Sequence, residues 1–265
     1  AYAAFTPAFH HGKRERHNKQ RQNRLYEGAL GGLFLDGRAL DLETQAGGPF
    51  LNPLEMGMPD ERSVASRIRE NPAYQRGVMR FFGARALERD DEVFDAVTRS
   101  IAAYERTSAF ASFDSRYDRA LRGELELSFE ELSGKALFFS QFTNCSLCHL
   151  LHGEGDPVRR GREPFSGFEF HNLGVPVNEE VRARNGVVAS DPGLQANPAS
   201  SGGEERGKFK TPTLRNVAVT GPYMHNGVFR ELRTVLEFYD HFNQPELRVT
   251  NPETGRAWAP PEVPE

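Results

Sequence analysis

The chain has 265 residues, of which 38% are hydrophobic and 26% are charged. These values are ordinary for a soluble globular protein with one large domain or two small ones. The net charge of −4 argues against general nucleic-acid binding, and no run approaches the roughly 18 apolar residues of a membrane span. The start at Ala1 without methionine and the Pro- and Glu-rich end at 260–265 predict a piece of a longer protein.

Three stretches are predicted to lack regular structure. Residues 9–24 combine three histidines with a run of Lys and Arg, which favours a solvated insertion loop, with a binding surface for an acidic partner as the alternative. Turn residues recur throughout 33–59, which predicts a structured loop rather than helix or strand. Residues 153–210 are rich in Gly, Pro and Asn, and so long a loop usually encloses something.

The helical segments show apolar residues at intervals of three or four. Asp60 is placed to cap the first of them, and Ser128 begins a capping box with Glu131. No stretch shows sustained alternation with a period of two, so the sequence predicts a mainly α fold with long ordered loops. The predicted helices are 60–70, 72–82, 90–106, 128–138 and 232–242.

Both cysteines of the chain lie in one motif, Cys145-Ser-Leu-Cys148-His149. In C-x-x-C-H the two thiols reach the vinyl groups of a haem and the histidine turns back to the iron as its proximal ligand. A zinc site with His149 or His152 would lack a second cysteine pair to complete the usual four ligands. A thioredoxin-like pair needs a βαβ setting that the predicted helices do not provide. The motif therefore indicates a covalently attached haem c.

The sixth ligand of this haem is not determined by the motif. Four downstream residues have suitable side chains, and each could also be a structural core residue. They are Met224, His225, Tyr239 and His241.

Three blocks of sequence resemble the bacterial di-haem cytochrome c peroxidase superfamily, and especially its MauG branch. The first block is Phe34-Leu35-Asp36-Gly37-Arg38-Ala39 with 42–46 and 48–56. The second is Gly134-Lys135-Ala136-Leu137-Phe138-Phe139, which leads into the cysteine motif. The third is Phe209-Lys210-Thr211-Pro212-Thr213-Leu214-Arg215-Asn216-Val217 with 220–227.

The resemblance implies two cytochrome-c-like helical domains with long ordered loops around the haems. Residues 1–125 would be the remainder of the N-terminal, peroxidatic domain, and 126–265 the C-terminal domain. The motif at Cys145 matches the C-terminal, electron-transfer haem, and Tyr239 falls on the position of its distal ligand. Typical peroxidases have Met there and the MauG branch has Tyr, whose phenolate should stabilise ferric and higher states.

The resemblance also implies roles for residues away from the motif. Gln45, Pro49 and Glu55 match the distal pocket of the peroxide-binding haem, where Glu55 would be the acid/base and Gln45 would orient ligand or water. Thr220 and Pro222 match carbonyl ligands of a calcium ion between the haems. Two further positions would line the second haem, Arg215 and His225.

Two departures from the family pattern stand out. The N-terminal C-x-x-C-H is absent from the 265 residues. Because the distal-pocket block for that haem is present, we expect its motif upstream of Ala1. The tryptophan that the family places between the haems aligns with Leu35, so electron sharing between the haems is expected to be slower or differently routed.

Together these features predict a periplasmic di-haem oxidoreductase. Hydrogen peroxide would be the oxidant, and a redox partner or a protein substrate would receive the oxidising equivalents. Tyr239 favours the version that modifies a protein. The alternative is a single-haem electron carrier without peroxidase activity, and the Gln45/Glu55 block speaks against it.

Overall fold

Eight α-helices form most of the regular structure among residues 1–16, 24–151, 161–200 and 203–264, which the computed structural model describes. The mainly α class predicted from the sequence is confirmed. The helices are α1 Leu42–Leu51, α2 Glu61–Glu70, α3 Pro72–Phe82, α4 Asp90–Glu105, α5 Arg116–Leu121, α6 Phe129–Phe138, α7 Glu179–Asn185 and α8 Leu232–Asn243.

Helices α1 to α4 pack together around small aliphatic side chains. Helix α4 contacts both α1 and α2, and its Ala96 lies in a buried cluster with Val78 of α3 and Ala86. Further along α4, Ala102 packs against Leu42 of α1. Small residues at these positions allow the helices to approach closely, which makes this half a compact support for α1.

The predicted helix starts are confirmed by their caps. The Asp60 side chain accepts a hydrogen bond from the Ser63 amide at 2.7 Å, and Asn71 caps α3 ahead of Pro72. At α6 the capping box is complete, since Ser128 and Glu131 each accept a hydrogen bond from the other's amide. Arg116 is paired with Glu131, and together with the cap it lowers the pKa of this carboxyl to about 2.

The prediction of a loop over 9–24 is wrong for its described part. His10–Arg16 is strand β1 and pairs antiparallel with β2, Arg24–Leu30. Strand β1 is polar throughout, and the apolar residues of β2 fall on both of its faces, so neither strand shows the period-two alternation that would signal it in the sequence. Residues 17–23 lie outside the described residues.

Two further loop predictions need correction. Within 33–59, residues 42–51 form α1. Asp41 caps this helix, because its side chain accepts a hydrogen bond from the Thr44 amide at 2.8 Å. The two glycines and Pro49 inside this helix conceal its periodicity. Within 153–210, residues 179–185 form the short helix α7, capped by Asn178.

The second half has its own aromatic core. Phe238 of α8 packs with Phe229 and Trp258, and Val175 completes the buried cluster. Two short strands, β3 at Phe170–His171 and β4 at Phe209–Lys210, form a second antiparallel pair. This pair brings the 209–216 block of the sequence next to the segment that follows the cysteine motif.

We expect Ser128→Ala to destabilise the protein by about 1 kcal/mol, because the alanine removes the side-chain acceptor at the start of α6. Urea unfolding followed by circular dichroism measures the change. Ser133→Ala is the matched control, since it lies within α6, where alanine is a better helix former. Equal midpoints for the two variants would contradict the assigned role of the cap.

Candidate haem site

The cysteine motif folds as a tight turn directly after α6. Asn144 takes the left-handed conformation with φ 55°, which asparagine tolerates better than most residues. A single 3-10 turn follows, and the carbonyl of Cys145 accepts a hydrogen bond from the His149 amide at 3.0 Å. Both cysteines are free thiols and partly accessible. The turn therefore presents two thiols and one imidazole from five consecutive residues.

The imidazole of His149 is oriented by a backbone carbonyl. Its Nδ1 lies 3.0 Å from the carbonyl oxygen of Phe165, and because a carbonyl can only accept, Nδ1 is the protonated nitrogen. Desolvation by the surrounding protein lowers the pKa of His149, so the ring stays neutral. A neutral ring with Nδ1–H bonded to a carbonyl leaves Nε2 as the nitrogen available to a metal.

The 209–216 block holds the segment that carries this carbonyl. Ser166 Oγ donates to the carbonyl of Thr211 at 2.7 Å, and Thr213 Oγ1 donates to the carbonyl of Pro164 at 2.6 Å. The amide of Thr211 donates to the carbonyl of Glu169 at 2.8 Å. The third block of sequence is therefore the scaffold behind His149.

Arg215 is buried and joins the two halves of the chain. Its Nη1 lies 2.5 Å from Asp118 of α5, and its Nε donates to the carbonyl of Glu163 at 2.7 Å. Its guanidinium also lies against the rings of Phe113 and Phe165. Nη2 is buried without a hydrogen-bond partner among the described residues.

The structure separates the four candidate sixth ligands. Met224 packs against the Val175 cluster, His225 stacks on Phe209 at 3.6 Å between ring centroids, and His241 Nδ1 bonds the carbonyl of Arg248 at 2.7 Å. Tyr239 lies close enough to the cysteine pair for both thiols to affect its pKa.

Tyr239 is held in α8 with its hydroxyl surrounded by protein. Burial raises the pKa of the phenol to about 12, and the neighbouring Cys148 and Cys145 add to the shift. The residue as a whole keeps 39% of its surface accessible. The phenol is thus protonated at neutral pH unless a cation takes the place of its proton.

Exposed apolar side chains on α6 and α8 are suited to contact with a large flat cofactor. Helix α6 is apolar on average, yet none of its residues is buried, and its Phe129 and Leu137 are largely exposed. Leu236 and Phe242 are exposed on α8, the helix that carries Tyr239. A haem is an apolar group of the size needed to cover such surfaces, and the unpartnered Arg215 Nη2 is suited to one of its carboxylates.

The structure gives no support to a zinc site at the cysteine motif. In the described ranges, no three His, Cys, Asp or Glu side chains are grouped so that they could hold a metal ion. The alternative ligand His152 lies outside those ranges. The thioredoxin alternative is not supported either, since the motif follows helix α6 and no βαβ unit surrounds it in the part of the chain that the structure describes.

The three residues predicted for a peroxide pocket lie on α1 and in the turn that follows it. Gln45 and Pro49 are one turn apart on the same helix face, and Glu55 is exposed in the turn that follows. That turn folds back onto the helix, because the amide of Met56 donates to the carbonyl of Pro49 at 3.1 Å. Asn52 Nδ2 donates to Glu55 Oε1 at 2.7 Å and orients the carboxylate.

The remaining predicted positions lie along the chain as follows. Thr220 and Pro222 are exposed on either side of Gly221, in a turn after the 209–216 block. Leu35 is partly exposed, and its carbonyl accepts a hydrogen bond from the Lys210 amide at 2.8 Å. Leu35 therefore joins the first half of the chain to β4 through its backbone.

Lys210 is a buried residue whose role the sequence did not reveal. Its ammonium group donates to the carbonyl of Gly32, across the junction of the two halves. Burial lowers the pKa of Lys210 to about 8, and Asp36 only partly opposes the shift. A lysine in a stretch of threonines and prolines gives no sign of burial before the fold is known.

We expect the stability of the protein to rise, through Lys210, as the pH is raised from about 8 to 10.5. In this window the folded protein has lost the Lys210 proton while the unfolded chain still binds it, and stability rises where the unfolded state holds more protons. The difference in urea midpoint between pH 7.5 and 10 should shrink in Lys210→Met. The partly exposed Lys208→Met should keep the wild-type difference, and an unchanged difference in Lys210→Met would refute the assignment.

None of the helices in the described part of the chain is both long and apolar enough to cross a membrane.

Comparison with known proteins identifies relatives over nearly the whole chain. The methylamine utilization protein MauG of Paracoccus denitrificans is 46% identical over 266 aligned residues, covering 99% of this chain and 64% of that protein. Cytochrome c551 peroxidase of Nitrosomonas europaea is 31% identical and covers 77% of this chain and 53% of that protein. The chain thus spans less than two thirds of the length of these relatives.

A solved structure agrees with the computed fold. The diheme peroxidase BthA from Burkholderia thailandensis superposes with a TM-score of 0.78 at 26% identity, covering 99% of this chain and 66% of that chain. The family model for di-haem cytochrome c peroxidase matches residues 2–126. These matches confirm the resemblance stated from the three sequence blocks and imply haem c as the cofactor. The chain belongs to the di-haem cytochrome c peroxidase family.

Proposed function

We propose that this chain is part of a MauG-like, periplasmic di-haem c oxidoreductase. It would use hydrogen peroxide and pass oxidising equivalents between haems to a protein or cytochrome partner. The observation that carries the proposal is the placement of Tyr239 beside the Cys145/Cys148 pair, with His149 oriented by the Phe165 carbonyl. The similarity to MauG and to cytochrome c551 peroxidase supports it.

Five side chains would hold the haem of residues 126–265. Cys145 and Cys148 would attach it through thioethers, His149 and Tyr239 would ligate its iron, and Arg215 would offer Nη2 to a propionate. When bound, the haem supplies reversible one-electron chemistry. His225, stacked on Phe209, would line the same site.

Tyr239 would act by giving up its proton. A phenol with a pKa of about 12 binds its proton firmly, so ligation requires the metal to displace that proton. The resulting phenolate is an anionic ligand and favours the oxidised forms of its metal over the reduced form. We therefore propose that Tyr239 tunes this site to hold oxidising equivalents, as a MauG-like function requires.

The peroxide chemistry would take place next to α1 and the turn that follows it, within residues 1–125. Glu55 would move a proton between the two peroxide oxygens, Gln45 would orient peroxide or water, and Pro49 would shape the pocket wall. Asn52 already holds the Glu55 carboxylate through its side-chain amide. The second haem would be attached through cysteines outside these 265 residues, since both cysteines of the chain belong to the Cys145 motif.

A calcium ion would be held near the junction of the two halves. Thr220 and Pro222 would each provide a backbone carbonyl, which is the kind of oxygen ligand that calcium accepts in turns. Periplasmic location would follow from the attachment of c-type haem outside the bacterial cytoplasm.

The decisive experiment uses the full-length, haem-loaded protein. We expect Glu55→Gln to slow the reaction with hydrogen peroxide by about 10²-fold or more, because glutamine can no longer move the proton. Haem content and the urea midpoint should be unchanged. The control is Glu88→Gln. Glu88 is an exposed carboxylate that follows α3 in the sequence and is not part of the turn after α1.

The single-haem carrier remains the second candidate because the chain contains one C-x-x-C-H motif. Intact mass and the denatured haem spectrum of the full-length protein distinguish the two. Two haems per protein with a Glu55-dependent peroxide reaction support the oxidoreductase. One haem per protein, or a peroxide reaction indifferent to Glu55→Gln, supports the carrier.

A further inference from the structure

The peptide that orients His149 has an unusual backbone conformation. Phe165 has a φ of 53°, in the left-handed region, which a bulky side chain rarely adopts. Such a conformation costs free energy and persists only where the surrounding contacts determine it. The contacts that hold Phe165 therefore also determine the direction of its carbonyl, and this carbonyl is the hydrogen-bond partner of His149 Nδ1.

Hydrogen bonds fix the residues on either side of Phe165. The carbonyl of Pro164 accepts from Thr213 Oγ1 at 2.6 Å. The fully buried Ser166 donates from its hydroxyl to the carbonyl of Thr211 at 2.7 Å. These bonds anchor the chain before and after Phe165, but they do not involve its ring or its carbonyl. The direction of the carbonyl therefore depends on what holds the Phe165 side chain.

Two contacts that begin at helix α5 hold the side chain of Phe165. The ring of Tyr117 lies edge-to-face against it, with 5.2 Å between centroids and 70° between planes, which is a favourable aromatic geometry. The guanidinium of Arg215 lies 5.1 Å from the centroid of the same ring, and it is itself fixed by Asp118 of α5 at 2.5 Å. Tyr117 thus contacts the ring directly, and Asp118 acts on it through Arg215.

Tyr117 is itself held in place. The capping box between Ser115 and Asp118 fixes the first turn of α5, which carries Tyr117. The Nζ of Lys135 on α6 lies 5.3 Å from the centroid of the tyrosine ring. Burial raises the pKa of the Tyr117 phenol, so the side chain stays neutral at physiological pH. Because α5 lies within residues 1–125, this tyrosine links the first half of the chain to a segment of the second.

We propose that Tyr117 is a positioning residue for the haem of the cysteine motif and that it acts on His149 through Phe165. The inference rests on the proposed function for the presence of that haem. A carbonyl that accepts from Nδ1–H makes an imidazole a more basic ligand, which favours the oxidised form of its metal. By holding the carbonyl toward Nδ1, Tyr117 adds to the effect proposed for Tyr239. Residues of the first half thus help to determine how strongly this haem favours its oxidised form.

The test measures the reduction of this haem, not peroxide turnover, in the full-length haem-loaded protein. Electron paramagnetic resonance of samples poised at a series of potentials distinguishes a haem with two protein ligands from one with an open position. We expect Tyr117→Leu to shift the equilibrium constant for reduction by on the order of tenfold toward the reduced form, because the carbonyl is no longer held toward Nδ1. Tyr117→Phe keeps the ring contact and should keep the wild-type value.

A second variant, Phe165→Gly, tests the path from Tyr117 to His149. Glycine adopts a φ of 53° without strain but has no ring, so this variant should shift the equilibrium constant in the same direction. Adding Tyr117→Leu to Phe165→Gly should cause no further shift, because Tyr117 acts through the Phe165 ring. Additive shifts in the double variant would show that Tyr117 acts by another path and would overturn the proposal.

The matched control is Tyr104→Leu, which removes a different edge-to-face contact, with 5.0 Å between the centroids of Tyr104 and Phe110. It should leave the equilibrium constant unchanged. The proposal is also overturned by an equal shift in this control, by an unchanged value in Tyr117→Leu, or by a shift in Tyr117→Phe as large as that in Tyr117→Leu. Absence of covalent haem, visible in the spectrum before titration, would instead contradict the proposed function itself.

Discussion

Replacing Cys145 and Cys148 together with serine is expected to abolish covalent haem attachment. Serine keeps the size and the turn of the motif, but its hydroxyl cannot form the thioether that would link the proposed haem to the chain. Because the chain has no other cysteine, no alternative attachment point exists within these residues. Extraction with acidified organic solvent should remove all haem of this site, and the intact mass should fall by one haem.

The control for this variant is Ser146→Ala, which changes a residue of the same turn that carries no thiol. It should retain the haem through extraction. Covalent haem at this site in the double serine variant would refute the attachment, and loss of haem in both variants would show only that the turn is sensitive to change. Haem extraction and intact mass give either result without an assay of activity.

Replacing Asp118 with alanine is expected to destabilise the protein by roughly 3–5 kcal/mol. Asp118 and Arg215 are both buried, and their charged atoms lie 2.5 Å apart. Removing the carboxylate leaves the guanidinium of Arg215 in the interior without a counter-ion. The same variant also breaks the capping box that Asp118 forms with Ser115 at the start of α5.

The pH dependence of this pair has a defined sign. Burial raises the pKa of Asp118, but hydrogen bonds from Arg215 and Ser115 outweigh it, so the net pKa lies below the ordinary 3.8. The stability contributed by the pair is therefore present above about pH 4 and is lost as the pH falls through the lower, folded-state value.

A surface ion pair provides the comparison for Asp118. Asp114 lies 2.6 Å from Arg122 with both side chains exposed, so Asp114→Ala should cost at most about 1 kcal/mol. Replacing both Asp118 and Arg215 with apolar residues should cost less than Asp118→Ala alone, because no charge is then left buried. Urea midpoints for the four proteins decide this, and a double variant less stable than the single one would contradict the assigned coupling.

The helices that could be predicted from the sequence share one property, a local start signal. Asp60, Pro72 and Ser128 each begin a helix with a side chain whose effect is confined to the next three residues. Helix α1 cannot be predicted in this way, because glycines and Pro49 weaken its pattern, and it is stabilised by packing against α4. The hairpin cannot be predicted either, because Arg14 and Tyr26 are fixed by residues far along the chain.

The candidate haem site also combines a part that local sequence predicts with a part that depends on long-range contacts. The cysteine turn is contiguous, so five residues are enough to predict it. The orientation of His149 depends on Phe165, and the choice of Tyr239 among four candidates depends on where α8 packs. These are long-range contacts, so local sequence patterns do not distinguish among the four candidate sixth ligands.

The spread of these contacts along the chain has a consequence for how the protein matures. The cysteine turn lies at 145–149, whereas the carbonyl that orients His149 is at 165, its supporting threonines are at 211 and 213, and Tyr239 is in the last helix. A chain made from its N-terminus therefore exposes the thiols well before the residues that close around them exist. Attachment of the proposed haem would therefore not need Tyr239 to be in place. The packing of α8 would bring Tyr239 to the cysteine turn as a later event.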